Sequence, residues 1–266
     1  MTRIRATAAA GRVRVTASGG PFAVRTLNSR PVPDGREAGR PTARVALVGT
    51  QALLLAGDTV EIELDIQPGV ALEVVEVAAT VAYRGAAPAH WRVRARVAAD
   101  SRLIWIAEPF IVAAGADVHR DSRFELAESA VLCLRETLVL GRSGESGGAL
   151  RNRTGISQAG TPLLVEDLDL SDERSRSRPG SLSTARVLDS MLLAGRRAPD
   201  QPPLPAGARF ELAGPGTLGR VRCAQTADSP VTEWARRWRA SVLTAGQHEL
   251  ARWVTAARCH AGSPDR

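Results

Sequence analysis

The chain contains no lysine; every one of its 35 basic side chains is an arginine. A phosphate-cradling nucleotide loop needs a lysine on the phosphates, so that class of enzyme is excluded. Aromatic residues make up only 4% of the 266 positions, so a core must rest on Val, Leu, Ile and Ala. The three cysteines, Cys133, Cys223 and Cys259, lie far apart and fit neither a disulfide framework nor a zinc spacing, which suits a reducing compartment. Arg3 and Arg5 are followed by Gly11, Arg12 and Arg14, so no secretory h-region forms. The longest apolar stretch, 45–56, is too short and too polar at Thr50-Gln51 to span a bilayer. A cytoplasmic protein without a membrane segment is the expectation. The net charge of +7 is spread over arginines that acids interrupt throughout, without the stripe that nucleic-acid binding uses. An acidic protein partner suits such a surface at least as well as nucleic acid.

Catalytic constellations are equally sparse. Residues 141–148, GRSGESGG, place serine among glycines but do not form the G-x-S-x-G elbow, and no histidine is near in sequence. His90, His119, His248 and His260 form no i,i+4 pair and no H-x-H. Cys259-His260, with Cys223 as a distant third donor, is the one thiol–imidazole combination that could hold a metal ion.

What is present is alternation. Val60, Ile62, Leu64 and Ile66 alternate with Glu61, Glu63 and Asp65, and Trp91, Val93, Ala95 and Val97 alternate with Arg92, Arg94 and Arg96. Both patterns define half-buried strands. Strand-like segments continue at 72–83, 124–126, 131–140, 163–165, 186–193 and 209–212, with a Pro68-Gly69 turn and loops at 143–148, 171–183 and 199–207. The expectation is an all-β-dominated fold, a β-helix-like or two-layer β architecture (sandwich or barrel), over 1–225. Residues 226–266 read as one or two C-terminal α-helices packed on it. Ser229 suits an N-cap, Pro230 the first turn and Glu233 the positive end of the helix dipole. Val231, Trp234, Trp238, Val242 and Ala245 then share one face, and 250–257 continues as a second amphipathic segment. That stripe either packs on the β-layer or offers a partner-binding face built from Trp234, Trp238 and Arg237.

Acids within or beside apolar runs are the remaining candidates: Asp58, Glu108, Glu136, Glu145, Glu166, Asp167 and Asp169. Glu136 stands out, with Val131-Leu132-Cys133-Leu134 before it and Leu138-Val139-Leu140 after. Such an acid is exposed by alternation, paired with an arginine such as Arg135 or Arg142, or lines a wet cavity.

Several segments, taken in order, resemble the UreD (UreH) family of urease accessory proteins. They are TARVALVGTQALLLAGD at 42–58, VAATVAYRG at 77–85, IWIAEPFIVAAGA at 104–116, LRETLVLGRSGESG at 134–147 and ELAGPGTLGRV at 211–221. Gly57-Asp58, Tyr83-Arg84, the Glu136 and Gly141-Arg142 block with Glu145, and Gly214-Pro215-Gly216 match the family's pattern. The His-Pro-Pro-Gly-Gly run of many members is replaced by Gly49-Thr50-Gln51-Ala52-Leu53, and the acid after the family's tryptophan is shifted to Glu108. The resemblance implies a non-catalytic maturation scaffold that acts with UreF and UreG to insert nickel into apo-urease. It implies no tightly bound cofactor, and a transient nickel ion passing carboxylates, for which Asp58, Glu108, Glu136 and Glu145 are the candidates. Oxygen donors hold nickel more loosely than Cys or His clusters, as a passage requires. The alternatives are a β-helix or sandwich carbohydrate-active enzyme using an Asp/Glu pair, and a generic β-sheet interaction module.

Overall fold

A computed structural model describes residues 1–30, 41–51, 54–179, 181–199 and 208–244. The alternating segment at 60–66 is β5 (Thr59–Ile66), and the Trp91 segment is β8 (Ala89–Val97). They lie parallel and in register, Val60 beside Trp91 and Ile62 beside Val93. β11 (Asp117–Leu126) and β13 (Ala149–Gln158) continue the same parallel ladder. β1 (Thr2–Ala9) and β2 (Arg12–Ser18) close it at one end, and β14 (Thr161–Asp169) closes it at the other.

Between these strands the chain crosses to a second sheet and returns. β6 (Ala71–Glu76), β9 (Arg102–Ile106) and β12 (Val131–Leu140) are its parallel centre, with β4 (Thr42–Gly49) and β3 (Phe22–Arg30) on one side. β15 (Val187–Ala194), β17 (Gly216–Cys223) and β16 (Arg209–Glu211) extend the other side. Short β7 (Thr80–Ala82) and β10 (Phe110–Val112) carry the return paths. The result is a β-solenoid-like pair of sheets, so of the two all-β architectures the β-helix-like one is realised. The strand-like stretch 72–83 is two strands, β6 and β7, broken at 77–79.

Corners stack as regularly as strands. Ala98 N–H donates to Ile66 C=O, Ala127 to Val97 and Ala159 to Leu126, so each corner satisfies the backbone of the next coil. The first corner uses the Pro68-Gly69 turn with Gly69 at φ 77°; the next puts Asp100 at φ 56°, its amide held by Ser129 Oγ at 2.9 Å.

The two sheets have different surroundings, and their sequences show it. The outer face of the first meets water, so β5 and β8 alternate strictly. Its charges form cross-strand pairs such as Arg92–Glu61 and Arg94–Asp121. The second sheet is covered on both sides. Leu103, Leu132 and Leu192 face the inter-sheet core, whereas Ile104, Cys133 and Leu193 face a second cluster with Val231, Trp234, Trp238 and Val242. Hence β12 and β15 are apolar at consecutive positions over 131–134, 138–140 and 191–194 instead of alternating.

That second cluster is the underside of α2 (residues 231–244), where the described residues end. Ser229 Oγ accepts from Val231 N–H at 3.2 Å, the capping the sequence suggests. Trp234 lies over Gly219, where an added Cβ would come within 2.6 Å of the indole. Buried Glu73 takes both arms of Arg239 at 2.7 and 2.8 Å, tying the helix to β6. Residues 250–257 and Cys259-His260 lie outside the described residues. The expected loop at 171–183 contains a short helix, α1 (Glu173–Ser177), because Asp172 accepts from Ser175 N–H at 2.7 Å and caps it. Among the described residues no helix is long and apolar enough to cross a membrane.

Candidate functional site

β12 explains why Glu136 stands out. Leu132, Leu134 and Leu138 point between the sheets, and Glu136 shares their parity. Arg120 of β11 reaches it from the opposite sheet at 3.0 Å, both side chains being largely buried (7% and 16% exposed). Arg120 also donates to Asn152 Oδ1 at 2.8 Å and sits 4.7 Å above the Phe110 ring. Its Nε has no hydrogen-bond partner among the described residues. The arginines nearest Glu136 in sequence are occupied elsewhere: Arg135 grips Asp189 at 2.8 Å on the other face of the sheet, and Arg142 pairs with Glu145.

A second carboxylate completes the arrangement. Glu76 ends β6 on the same inward face as Leu72 and Val74. It accepts from the Trp105 indole at 2.9 Å and from the Glu108 amide at 3.1 Å. Burial pushes its pKa up to about 7, against the pull of those two hydrogen bonds and of Arg120. Glu76, Arg120 and Glu136 line one cleft of about 20 Å³, with Trp105 and Ala107. That is room for about one water molecule or a bare ion.

The polar row extends both ways. Glu76 also lines an outer cleft of about 250 Å³ beside Gln51 and Thr80. In the other direction Glu136 pairs in register with Ser190, and Ser190 with Arg220. Arg220 donates to Ser190 Oγ and to Glu166, both at 2.9 Å, and borders a further cleft of about 220 Å³ with Phe210 and Leu182. A row of polar groups thus lies in the inter-sheet layer between two surface clefts, with Glu136 and Ser190 neighbours in register. The Glu76–Arg120–Glu136 cluster sets two carboxyl groups against one guanidinium.

The other acids expected to line a passage sit elsewhere. Asp58 closes a turn, accepting from Leu55 N–H at 2.7 Å. The Glu108 side chain is exposed; only its amide touches the cluster. Glu145 is about a quarter exposed and pins its loop. The Arg142 guanidinium holds its carboxyl down at about 2, helped by the amides of Ala114 and Arg142. Trp234 (3% exposed) and Trp238 (0%) are inside, spent on docking α2. Of the two readings of that stripe, the indoles take the one in which it packs on the β-layer, their apolar area being buried against the sheet. Arg237 does face solvent, paired with Glu233 at 2.8 Å.

Sequence reasoning passed over Glu76 and Arg120. Parity was the available signal: both occupy inward positions, in Leu72-x-Val74-x-Glu76 and in Val118-x-Arg120-x-Ser122.

A β-solenoid-like pair of sheets with an ion-paired polar row between them is the class of protein that the fold defines. The family model described as UreD urease accessory protein matches residues 3–262. The chain belongs to that family. It is 48% identical over 180 residues to urease accessory protein UreD 1 of Streptomyces griseus, covering 67% of this chain and 69% of that one. It is 37% identical to UreD 1 of Saccharopolyspora erythraea, covering 95% and 98%. The UreD of Frankia casuarinae is 39% identical over 64% of this chain and 56% of its own.

Proposed function

We propose that this protein is a non-catalytic scaffold of urease maturation that gives nickel an internal route toward apo-urease. The observation that carries the reading is the polar row from Glu76 through Arg120 and Glu136 to Ser190, Arg220 and Glu166. Ion-paired groups in a core are costly and add little net stability, so a function that needs them is the economical account. Carboxylates and a hydroxyl suit a transient ion better than a resident one. In this reading nickel is cargo, no cofactor is held tightly, and UreF and UreG act on the same cytoplasmic complex. The cleft that Glu76 and Glu136 share, about 20 Å³, is too small to hold a sugar ring between the two carboxyls, which counts against the carbohydrate-enzyme alternative with that pair.

The test is a clean deletion strain grown on limiting nickel. Urease subunits should accumulate at normal levels but lack nickel and activity, and the wild-type gene should restore both. Full activity in the deletion strain would overturn the proposal.

A further inference from the structure

At the last coil both sheets end on an edge strand, β14 for the first and β16 for the second. The cleft of about 220 Å³ that Arg220 borders is lined from both of them. Leu168 of β14, Leu188 of β15 and Phe210 of β16 form its walls, together with Leu182 from the connection between the sheets. Leu182 and Leu188 are buried, whereas Phe210 keeps 47% of its surface in water. A single exposed phenylalanine is ordinary on a protein surface. One that walls a leucine-lined hollow has apolar area ready for a further side chain.

Beside the hollow are cations that no acid answers. Arg220 is held by Glu166, but Arg222 of β17, also on the lining, is exposed and donates to the carbonyl oxygens of Pro179 and Ser181. Arg178, the residue before Pro179, is exposed as well. No ion pair joins Arg178 or Arg222 to an acid among the described residues. Of the neighbouring acids, Asp169 and Asp172 are turned onto the amides of Ser171 and Ser175, at 2.9 and 2.7 Å. On the outer face of the first sheet, by contrast, Arg92, Arg94 and Arg96 each meet an acid on the next strand. An apolar hollow beside unanswered guanidiniums is complementary to an apolar side chain flanked by carboxylates.

We propose that this cleft docks an acidic segment of a protein partner, which inserts one apolar side chain against Phe210 and sets flanking carboxylates on Arg222 and Arg178. Burial of the anchor supplies the affinity, and the acids fix its orientation and exclude basic competitors. A partner seated here covers one end of the polar row, yet the docking needs no route behind it. Phe210 and Arg222 lie outside the Glu76–Arg120–Glu136 cluster, so failure of either reading leaves the other standing.

The probe is a fluorescein-labelled peptide with one leucine between pairs of glutamates, and its control carries alanine in place of the leucine. Fluorescence polarisation at low salt should show saturable binding of the leucine peptide to the full chain, weakened at least about tenfold by Phe210→Asp and by Arg222→Glu. The alanine peptide should bind the wild-type chain more weakly. Arg12→Glu tests the general pull of a basic chain: Arg12 is exposed on β2, at the far end of the first sheet, and its reversal should leave binding unchanged. Methyl NMR of the wild-type chain guards against misfolded variants, because the signals of Leu168, Leu182 and Leu188 should shift when the leucine peptide is added. Absence of binding, equal binding of the alanine peptide, or a loss in Arg12→Glu as large as in Arg222→Glu would overturn the proposal. So would a wild-type dimer in sedimentation that Phe210→Asp dissolves, since a second copy of the chain would then occupy the cleft.

Discussion

Glu136 and Arg120 illustrate how differently two partners of one buried pair respond to mutation. Arg120→Ala strips the cation from a carboxylate that is 16% exposed, and should cost about 3–5 kcal/mol of folding stability, read as a large drop in urea midpoint. Glu136→Gln keeps the shape and an acceptor for Arg120, so the protein should fold with a smaller loss while nickel loading of urease falls. If Glu136→Gln proves as destabilising as Arg120→Ala and loading per folded molecule is normal, the carboxylate is structural. Glu76 makes a separate claim about pH. Its folded-state pKa is raised from 4.5 to about 7, so between those values the folded chain holds a proton that the unfolded chain has released. Stability should therefore fall as pH rises through that window, by up to about 3 kcal/mol, and level off above it. Glu76→Gln should remove this slope from urea-melt stabilities measured between pH 5 and pH 8; an unchanged slope would rule the group out.

At the scale of the element, α2 shows an amphipathic stripe resolved in favour of packing. Trp238 is fully buried against the second sheet, so Trp238→Ala should cost about 3–5 kcal/mol, a loss visible in the thermal midpoint. Gly219→Ala should loosen the same contact from the other side, because the new methyl would strike the Trp234 ring. Near-UV circular dichroism reports both through the indoles, and an unaltered spectrum in Gly219→Ala would mean the helix sits elsewhere. Strands were legible wherever one face is apolar and the other polar, as in β5 and β8. β13 escaped notice because its inward positions include Asn152, Thr154 and Gln158, leaving no hydrophobic alternation to find. The very polarity that hid the strand belongs to the layer that holds the polar row.

For the whole molecule, the far-UV spectrum should be β-dominated, with helix well below the usual share of about a third. A helix-rich spectrum would contradict the solenoid. By itself the sequence determined the β class, the capped helix after Ser229, the family resemblance and the oddity of Glu136. These are local: alternation, capping and motif order are written in neighbouring residues. The tertiary structure decided which arginine neutralises Glu136, that Glu76 joins it, that the tryptophans are core, and that Phe210 and Arg222 border one cleft. Each of these depends on coil register and on which sheet face is covered. Both are set by contacts between residues far apart in the chain, where no spacing rule reaches.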